Sequence, residues 1–184
     1  MKESGSLDEI WAKAYKGIGA AGVILNSHGH VLLAKHSYGL LKWELPGGTA
    51  ERDESPPETS VREVLEETGL RVSAERLTGV YYERHGPGRE AVHFVFLCRI
   101  VDEVATPRPD LDEVTACAYW PPETLPRPIS DFTIRRIQHA SRNHGPELPV
   151  TIAPRQWLMS RADRPVLYRA AATKSAPETA PLTA

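Results

Sequence analysis

The 184-residue chain lacks most of the features that mark secreted, zinc-binding or membrane proteins. Its only two cysteines, Cys98 and Cys117, have neither C-x-x-C nor histidine spacing, which favours two buried thiols over a disulfide or a zinc site. No stretch approaches the roughly 20 consecutive apolar residues of a membrane span, and the first ten residues contain no apolar signal segment. We therefore expect a soluble, cytoplasmic protein without a membrane partner.

The sequence also lacks a strong charge of either sign. Its formal net charge is −2 and its pI is about 6.4, so it has no global basic field for tight, non-specific binding to nucleic acid. Hydrophobic residues make up 41% of the chain, which is enough for one domain with a sizeable core. Binding of a small anionic ligand through local positive charge stays compatible with this composition.

What the sequence does contain is one patterned window, Gly48 to Leu70 (GTAERDESPPETSVREVLEETGL). The window fills every fixed position of Gly-x5-Glu-x7-Arg-Glu-apolar-x-Glu-Glu-x-Gly-apolar. Such a match arises by chance at well under about one in 10^8 starting points. The charged residues at its fixed positions are Glu54, Arg62, Glu63, Glu66 and Glu67.

Local signals in this window predict a helix from about Pro56 to Thr68. Ser55 with Glu58 three residues later forms a capping box, and proline suits the first helical position. Gly69 suits the residue just past the helix end. The window is therefore a loop that leads into a helix.

The three glutamates at the end of this helix are expected to cluster. Steps of about 100° per residue place Glu63, Glu66 and Glu67 on one side of the helix. The apolar residues Val61, Val64 and Leu65 lie on the opposite side, so we expect the three carboxylates to face away from the core. Such like charges need hydration, paired cations or a bound metal. Carboxylates without His or Cys suit hard ions, so Mg²⁺ is the first choice, Mn²⁺ a substitute, and Zn²⁺ is disfavoured.

The alternative interpretation is a solvated acidic helix face. The loop before the helix favours the metal site, because Leu45-Pro-Gly-Gly48 can bend sharply and expose backbone carbonyls and amides.

Elsewhere, hydrophobic patterning predicts five strands and a second helix. The predicted strands are Gly19 to Leu25, Val31 to Ala34, Leu77 to Tyr82, Ala91 to Ile100 and Val114 to Trp120. Turn residues at Asn26 to Gly29 predict that the first two strands form a hairpin. The second helix is predicted at Asp131 to Asn143. We expect an N-terminal extension (residues 1–16), one domain (17–160) and a disordered C-terminal tail (161–184).

The window resembles the Nudix box, and more loosely the resemblance covers residues 18–142. It implies an α/β fold, the Nudix-type α/β/α sandwich with a mixed β-sheet between helices, with which the alternation of strands and two helices agrees. One position departs from the common box, because Asp53 stands where a glycine is usual. That departure bears on loop geometry rather than on catalysis.

The resemblance also implies roles for individual residues. Glu66 and Glu67 would bind the metal, Glu63 would be a further ligand or activate water, and the carbonyl of Gly47 would complete the coordination. Arg62 would orient a box glutamate, and Gly48 and Glu54 would support the loop. The implied reaction is hydrolysis of a P–O–P bridge in a nucleoside diphosphate linked to another moiety.

Several assignments stay open at this stage. The general base is Glu63 or a downstream acid, Asp110, Asp112 or Glu113. Candidates for a substrate-binding rim, each individually weak, are Tyr38, Trp43, Tyr82, Arg84, His85 and Arg89. Trp43 and Tyr82 are equally well interpreted as packing residues.

Two alternative functions use the same fold. One is a catalytically silent module that senses a nucleotide, although such a module usually loses box acids and this chain has all of them. The other is a pyrophosphohydrolase of RNA 5′ ends, which would need a basic track that the sequence does not show. The sequence identifies neither the substrate nor the oligomeric state. Because many members of the Nudix family form dimers, the resemblance leaves a homodimer open.

Overall fold

The computed structural model describes residues 16–84, 90–102, 104–142, 150–152 and 157–159. Its strands are β1 (Gly17–Ile24), β2 (Val31–His36), β3 (Trp43–Glu44), β4 (Gly47–Thr49), β5 (Val72–Arg84), β6 (Glu90–Ile100), β7 (Val114–Trp120), β8 (Ile129–Ser130), β9 (Val150–Ile152) and β10 (Trp157–Leu158). Its helices are α1 (Pro56–Thr68) and α2 (Asp131–Ser141). The predicted tail, and the predicted extension apart from Lys16, lie outside the described residues, and the domain boundaries stay a prediction.

The strands form two five-stranded sheets. The first has the order β4-β1-β6-β5-β9 and is mixed, because β1 runs parallel to β6 and β5 parallel to β9 while the other neighbours are antiparallel. The second has the order β10-β8-β3-β2-β7. The predicted fold class, an α/β/α sandwich built on a mixed sheet, is confirmed by this arrangement.

Side chains of β1 show how the sandwich is assembled. Ala20 and Ile24 pack in one cluster with Val64 of α1, whereas Ala21 packs in another cluster with Phe132 of α2. Because successive side chains of a strand point to opposite faces, α1 and α2 cover opposite faces of the first sheet. This burial on both faces explains the continuous apolar run of β1.

The predicted hairpin between β1 and β2 is wrong. A turn does form, with the N–H of Asn26 donating to the carbonyl of His30 at 3.0 Å, but only an isolated bridge from Leu25 to Val31 follows it. The strands then separate into different sheets, where β1 pairs with β6 and β2 with β7. Turn chemistry was enough to place the reversal, whereas burial on both faces decided the pairing.

The helix α1 begins and ends where the sequence predicts. The N–H of Ser55 donates to Glu58 Oε2 at 2.9 Å, and Gly69 adopts a left-handed conformation with its N–H donating to the Leu65 carbonyl at 2.8 Å. The helix α2 begins at the predicted Asp131 and ends two residues early, at Ser141. These caps fix the register of the glutamates relative to the loop before α1.

The strand β5 is longer than predicted because two register shifts lie within it, between Ala74 and Arg76 and between Leu77 and Gly79. Such bulges break the alternation on which the prediction depended. The strands of two or three residues, among them β3 and β4, escaped prediction because they are too short for a periodic signal. Of these, β4 matters most, because it places Gly47 and Gly48 beside α1.

Candidate active site

The three glutamates near the end of α1 lie in different environments. Glu67 is buried, with 4% of its surface exposed, and Glu63 is half-buried. Glu66 is exposed. The prediction that all three carboxylates face away from the core is therefore wrong, because two of them lie under the loop and sheet that cover this side of the helix.

The buried side of α1 is not the side that the apolar residues of the window predict. The buried stripe runs through Ser60, Val64 and Glu67, which are spaced one turn apart, whereas Leu65 is 44% exposed and Val61 is half-buried. The stripe can be polar because sheet residues pair with its side chains: Ser60 Oγ lies 3.6 Å from Cys98 Sγ on β6, and the N–H of Gly47 on β4 donates to Glu67 Oε2. The thiol of Cys117 on β7 donates to the backbone carbonyl of Glu67, with 3.4 Å between the two atoms.

The carboxylate of Glu67 is the deepest acidic group of the site. Its Oε2 accepts the N–H of Gly47 at 3.2 Å. Burial, and after it the nearby charge of Glu63, raises the pKa of Glu67 to about 8, while the Gly47 hydrogen bond opposes this shift. A proton or a cation is therefore needed to neutralise Glu67 near neutral pH.

Two consecutive glycines let the loop approach these carboxylates. A Cβ on Gly47 would fall 2.3 Å from the carbonyl oxygen of Ala20, so a side chain there would break the pairing of β4 with β1. A Cβ on Gly48 would fall 2.4 Å from Glu63 Oε1. The second glycine therefore leaves the space that the Glu63 carboxylate occupies.

Burial also raises the pKa of Glu63, and the guanidinium of Arg62, whose Nη1 lies 3.0 Å from Glu63 Oε1, opposes that rise. Glu63 and Glu67 lie on the inner side of α1, and the charge of Glu63 contributes to the raised pKa of Glu67. We call this pair the inner carboxylates.

A second group of charges occupies the outer side of α1. Arg62 Nε lies 2.8 Å from Glu54 Oε1 and its Nη2 lies 3.0 Å from Glu54 Oε2, a two-pronged ion pair. The same guanidinium donates to Glu66 Oε2 at 2.8 Å and to the Thr49 carbonyl at 3.1 Å. Hydrogen bonding from Arg62 lowers the pKa of Glu54 to about 2. We call Glu54, Arg62 and Glu66 the outer cluster, and it ties the loop to the helix.

The chemistry of the inner carboxylates fits a hard divalent cation. They offer oxygen atoms in a partly buried place and lack a full counter-charge, which is what such an ion supplies. Among the described residues, no three or more His, Cys, Asp or Glu side chains are already arranged as a ligand set. Glu66 would have to leave Arg62 to join one, and its 55% exposed side chain leaves room for that rotation.

A buried acid that the sequence analysis did not single out lies beside this site. Glu44 is 9% exposed, and its charge contributes to the raised pKa of Glu67. It pairs with Lys42 Nζ at 3.2 Å and lies 3.7 Å from Arg136 Nη2 of α2. The available signal was a charged residue placed between the apolar Trp43 and Leu45, in a segment that leads directly into the glycines.

The structure separates the candidates for a substrate-binding rim. Tyr38 is 52% exposed, and the charges of Glu113 and Glu67 help to raise its pKa, after burial as the first cause. Trp43 is 8% exposed and packs edge-on against Trp120 with ring centroids 5.6 Å apart, so of its two open interpretations the structure supports packing. Its aromatic surface is used inside the core.

The other rim candidates lie at or beyond the end of β5. Tyr82 is half-buried there, with Lys16 Nζ 5.5 Å from its ring centroid. Arg84 is exposed and its Nε lies 3.2 Å from Glu90 Oε1. His85 and Arg89 lie outside the described residues.

Among the downstream acids, the structure brings Glu113 towards the inner carboxylates. Its charge contributes to the raised pKa of both Glu63 and Glu67. Asp110 instead accepts backbone N–H groups of its own loop, and the backbone carbonyl of Asp112 accepts the Ser37 hydroxyl at 2.8 Å.

The chain is similar to known proteins in both sequence and fold. The NUDIX domain model matches residues 16–139. A MutT-like protein of Streptomyces ambofaciens is 33% identical over 131 residues, which cover 71% of this chain and 80% of that protein. A putative 8-oxo-dGTP diphosphatase of Bacillus subtilis is 43% identical over 63 residues, 34% of this chain and 42% of that protein. The crystal structure of a MutT NUDIX hydrolase from Burkholderia pseudomallei has 25% identity and a TM-score of 0.59, covering 69% of this chain and 99% of its own.

The sandwich and its glutamate-bearing loop–helix unit thus define a Nudix-type hydrolase. Since the domain match spans more than half of the sequence, the chain belongs to the Nudix family, and the predicted family and enzyme class are confirmed. Among the described residues, no helix has the length and apolar character to cross a bilayer.

Proposed function

We propose that the protein is a Mg²⁺-dependent pyrophosphohydrolase, with Mn²⁺ as a substitute, that acts on a nucleoside diphosphate linked to another moiety. The products would be a nucleoside monophosphate and the phosphorylated partner. The observation that carries the proposal is the pair of inner carboxylates, Glu63 and Glu67, held beside a Gly-Gly loop with proton affinities raised by burial. Because burial makes the charged form of these acids unfavourable, they suit a site where a bound cation replaces the proton.

Glu63, Glu66, Glu67 and the carbonyl of Gly47 would hold the ion. When bound, it supplies neutralising charge for the diphosphate and lowers the pKa of a water molecule. The Nη1 of Arg62 pairs with both Glu63 and Glu66, so it fixes the positions of these two carboxylates before an ion binds. Gly48 keeps the Glu63 carboxylate in place by leaving room for it.

A carboxylate must take the proton of the attacking water, and the described residues offer two. Glu63 lies inside the box, whereas Glu113 approaches it from the loop before β7. We propose Glu63 as the first candidate because Arg62 and Gly48 already fix it. Substitution of each by glutamine separates them, since removal of the base lowers kcat and flattens the acidic limb of its pH profile.

Within the substrate class, oxidised nucleoside triphosphates are the first to be tested. The support is the name of the Bacillus subtilis relative, a putative 8-oxo-dGTP diphosphatase, whose 63 matched residues have 43% identity. ADP-ribose and nucleotide sugars are the next candidates. A cytoplasmic location, the absence of a nucleic-acid partner and a homodimeric assembly are part of the same proposal.

The experiment is release of monophosphate or pyrophosphate from a panel of nucleotides, each with Mg²⁺, with Mn²⁺ and with a chelator. The panel holds oxidised and ordinary triphosphates, ADP-ribose, nucleotide sugars and 5′-triphosphorylated RNA. We expect metal-dependent cleavage of one class of free nucleotide. Tight nucleotide binding without cleavage would favour the sensing module, and cleavage of RNA alone would favour the RNA-end hydrolase.

A further inference from the structure

Two loops beside the inner carboxylates are joined to each other. The first connects β2 to β3 (residues 37–42), and the second leads into β7 (residues 108–113). The N–H of Ser37 donates to the carbonyl of Glu113 at 2.8 Å, and the Ser37 hydroxyl donates to the carbonyl of Asp112, also at 2.8 Å. We call the joined pair the two-loop wall, because these bonds couple the position of one loop to that of the other.

Asp110 organises the second loop from within. Its Oδ1 accepts three backbone N–H groups, those of Asp112 at 3.1 Å, Glu113 at 3.2 Å and Val114 at 3.0 Å. Between them, Leu111 adopts a left-handed conformation with φ of 71°, which a leucine rarely takes without such support. One carboxylate oxygen therefore sets the backbone from residue 110 to the first residue of β7.

The wall presents two exposed side chains to the site. Glu113 is exposed. Its loop lies against the end of α1 that carries Glu67, because the N–H of Arg108 donates to the Thr68 carbonyl at 2.7 Å. Tyr38 is also exposed, packs edge-on against His36 with ring centroids 5.1 Å apart, and directly follows Ser37, which binds the second loop. An aromatic ring and a carboxylate thus lie on two coupled loops beside this end of α1.

We infer that Asp110 is a positioning residue of the active site, because it holds the two-loop wall in the place from which Tyr38 and Glu113 contact the bound substrate. The inference rests on the proposed function. Asp110 itself touches no reacting atom. Tyr38 would lie against the base or sugar beyond the diphosphate, since an exposed ring with a hydroxyl suits both stacking and a hydrogen bond to such a group.

Three variants test this role. Asp110→Ala removes the acceptor, whereas Asp110→Asn retains a carbonyl oxygen at the same place. Asp102→Ala is the matched control, because Asp102 Oδ1 accepts the Val104 N–H at 3.2 Å in another exposed part of the same connection. We expect kcat/KM to fall by about tenfold in Asp110→Ala, since small misplacements of contacting groups have effects of that order or larger. Asp110→Asn should recover most of this loss, and Asp102→Ala should be unchanged.

A second readout does not depend on turnover. Amide hydrogen exchange at Asp112, Glu113 and Val114 should be slow in the unaltered protein, fast in Asp110→Ala and slow again in Asp110→Asn. Far-UV circular dichroism and Tm of each variant confirm that the fold is retained. Fast exchange at these amides in the unaltered protein would overturn the wall itself.

The remaining outcomes distinguish this inference from the proposed function. If the unaltered protein hydrolyses a nucleotide and Asp110→Ala matches it in kcat and KM, the positioning role is wrong while the function stands. If the unaltered protein hydrolyses no nucleotide, the proposed function and the positioning role fail together, whatever the exchange data show of the wall. Loss of activity in Asp110→Ala with recovery in Asp110→Asn supports both.

Discussion

The acids on the two sides of α1 come from the same short window, but the pKa values of Glu54 on the outer side and Glu67 on the inner side are shifted in opposite directions. On the outer side, Arg62 neutralises Glu54 and Glu66 with hydrogen bonds of 2.8 to 3.0 Å, and it lowers the pKa of Glu54 to about 2. On the inner side, Glu67 is only 4% exposed, and burial raises the pKa of both Glu63 and Glu67.

This difference separates structure from chemistry within one motif. A paired carboxylate with a depressed pKa stays charged, so the outer cluster behaves as a fixed clamp between loop and helix. Acids with raised pKa values gain from any cation that replaces their protons. Loss of Glu54 should therefore affect stability first, and loss of Glu63 or Glu67 should affect turnover first, whereas Glu66 is both a partner of Arg62 and a proposed metal ligand.

The largest expected effect comes from Glu67→Gln. The substitution keeps the size of the side chain and an oxygen that can accept the Gly47 N–H, but removes the charge. We expect turnover to fall by at least about 10^3-fold with the fold intact, since the contribution of a bound ion to catalysis amounts to several kcal/mol. Steady-state kinetics with Mg²⁺ and a circular dichroism spectrum test this, and turnover close to that of the unaltered protein would sink the metal-site assignment.

The next effect is on stability and breaks the outer cluster. Arg62→Lys retains one positive charge but loses the fork that binds both oxygens of Glu54 and reaches the Thr49 carbonyl. We expect the free energy of unfolding to fall by about 1.5–3 kcal/mol, the range for hydrogen bonds to charged groups. Urea denaturation measures it, with Arg52→Lys on the exposed part of the loop as control. An equal loss in the control would show that the fork contributes nothing.

How far the sequence could predict these two sides depends on the range of the interactions. The caps at Ser55 and Gly69 are local, so the bounds of α1 were predicted correctly. The buried side of the helix was not, because β7 and the β3–β4 segment cover Glu67 and their positions depend on strand pairing across the molecule. Glu44 and Glu113 approach Glu67 from distant segments for the same reason, and no spacing in the sequence shows that proximity.

Gly48→Ala tests the inner side without removing an acid. The new Cβ would meet the end of the Glu63 side chain rather than backbone, so the carboxylate moves and the fold is retained. We expect kcat to fall by about tenfold or more, because displaced catalytic groups have large effects on rate. Tm should change little. Unchanged kcat would show that the position of Glu63 does not matter.

The pH dependence of stability, measured in the presence of a chelator, tests the raised pKa on the inner side of α1. The pKa of Glu67 is raised from 4.5 to about 8, so its contribution to stability is complete below pH 4.5 and is lost as pH rises through about 8. Glu67→Gln stays neutral throughout. Its Tm should therefore match the unaltered protein below pH 4.5, exceed it increasingly between pH 4.5 and about 8, and keep a constant advantage above that pH. A Tm difference that does not change with pH would contradict the raised pKa.

The smallest expected effect concerns the loop that joins the two sides. Asp53 has φ of 65°, in the left-handed region that glycine adopts freely and other residues adopt at a cost, although Asp tolerates it better than most. The chain therefore keeps the loop shape that a glycine would give, and Asp53→Gly should relieve the cost while adding flexibility to the unfolded chain. These two effects oppose each other, so we expect a change in the free energy of unfolding within about 1 kcal/mol and unchanged turnover. Asp53→Val is the informative opposite, since a β-branched residue is strained at this φ. If both variants hydrolyse nucleotide at the same rate and have the same Tm, the geometry at residue 53 does not constrain the outer cluster.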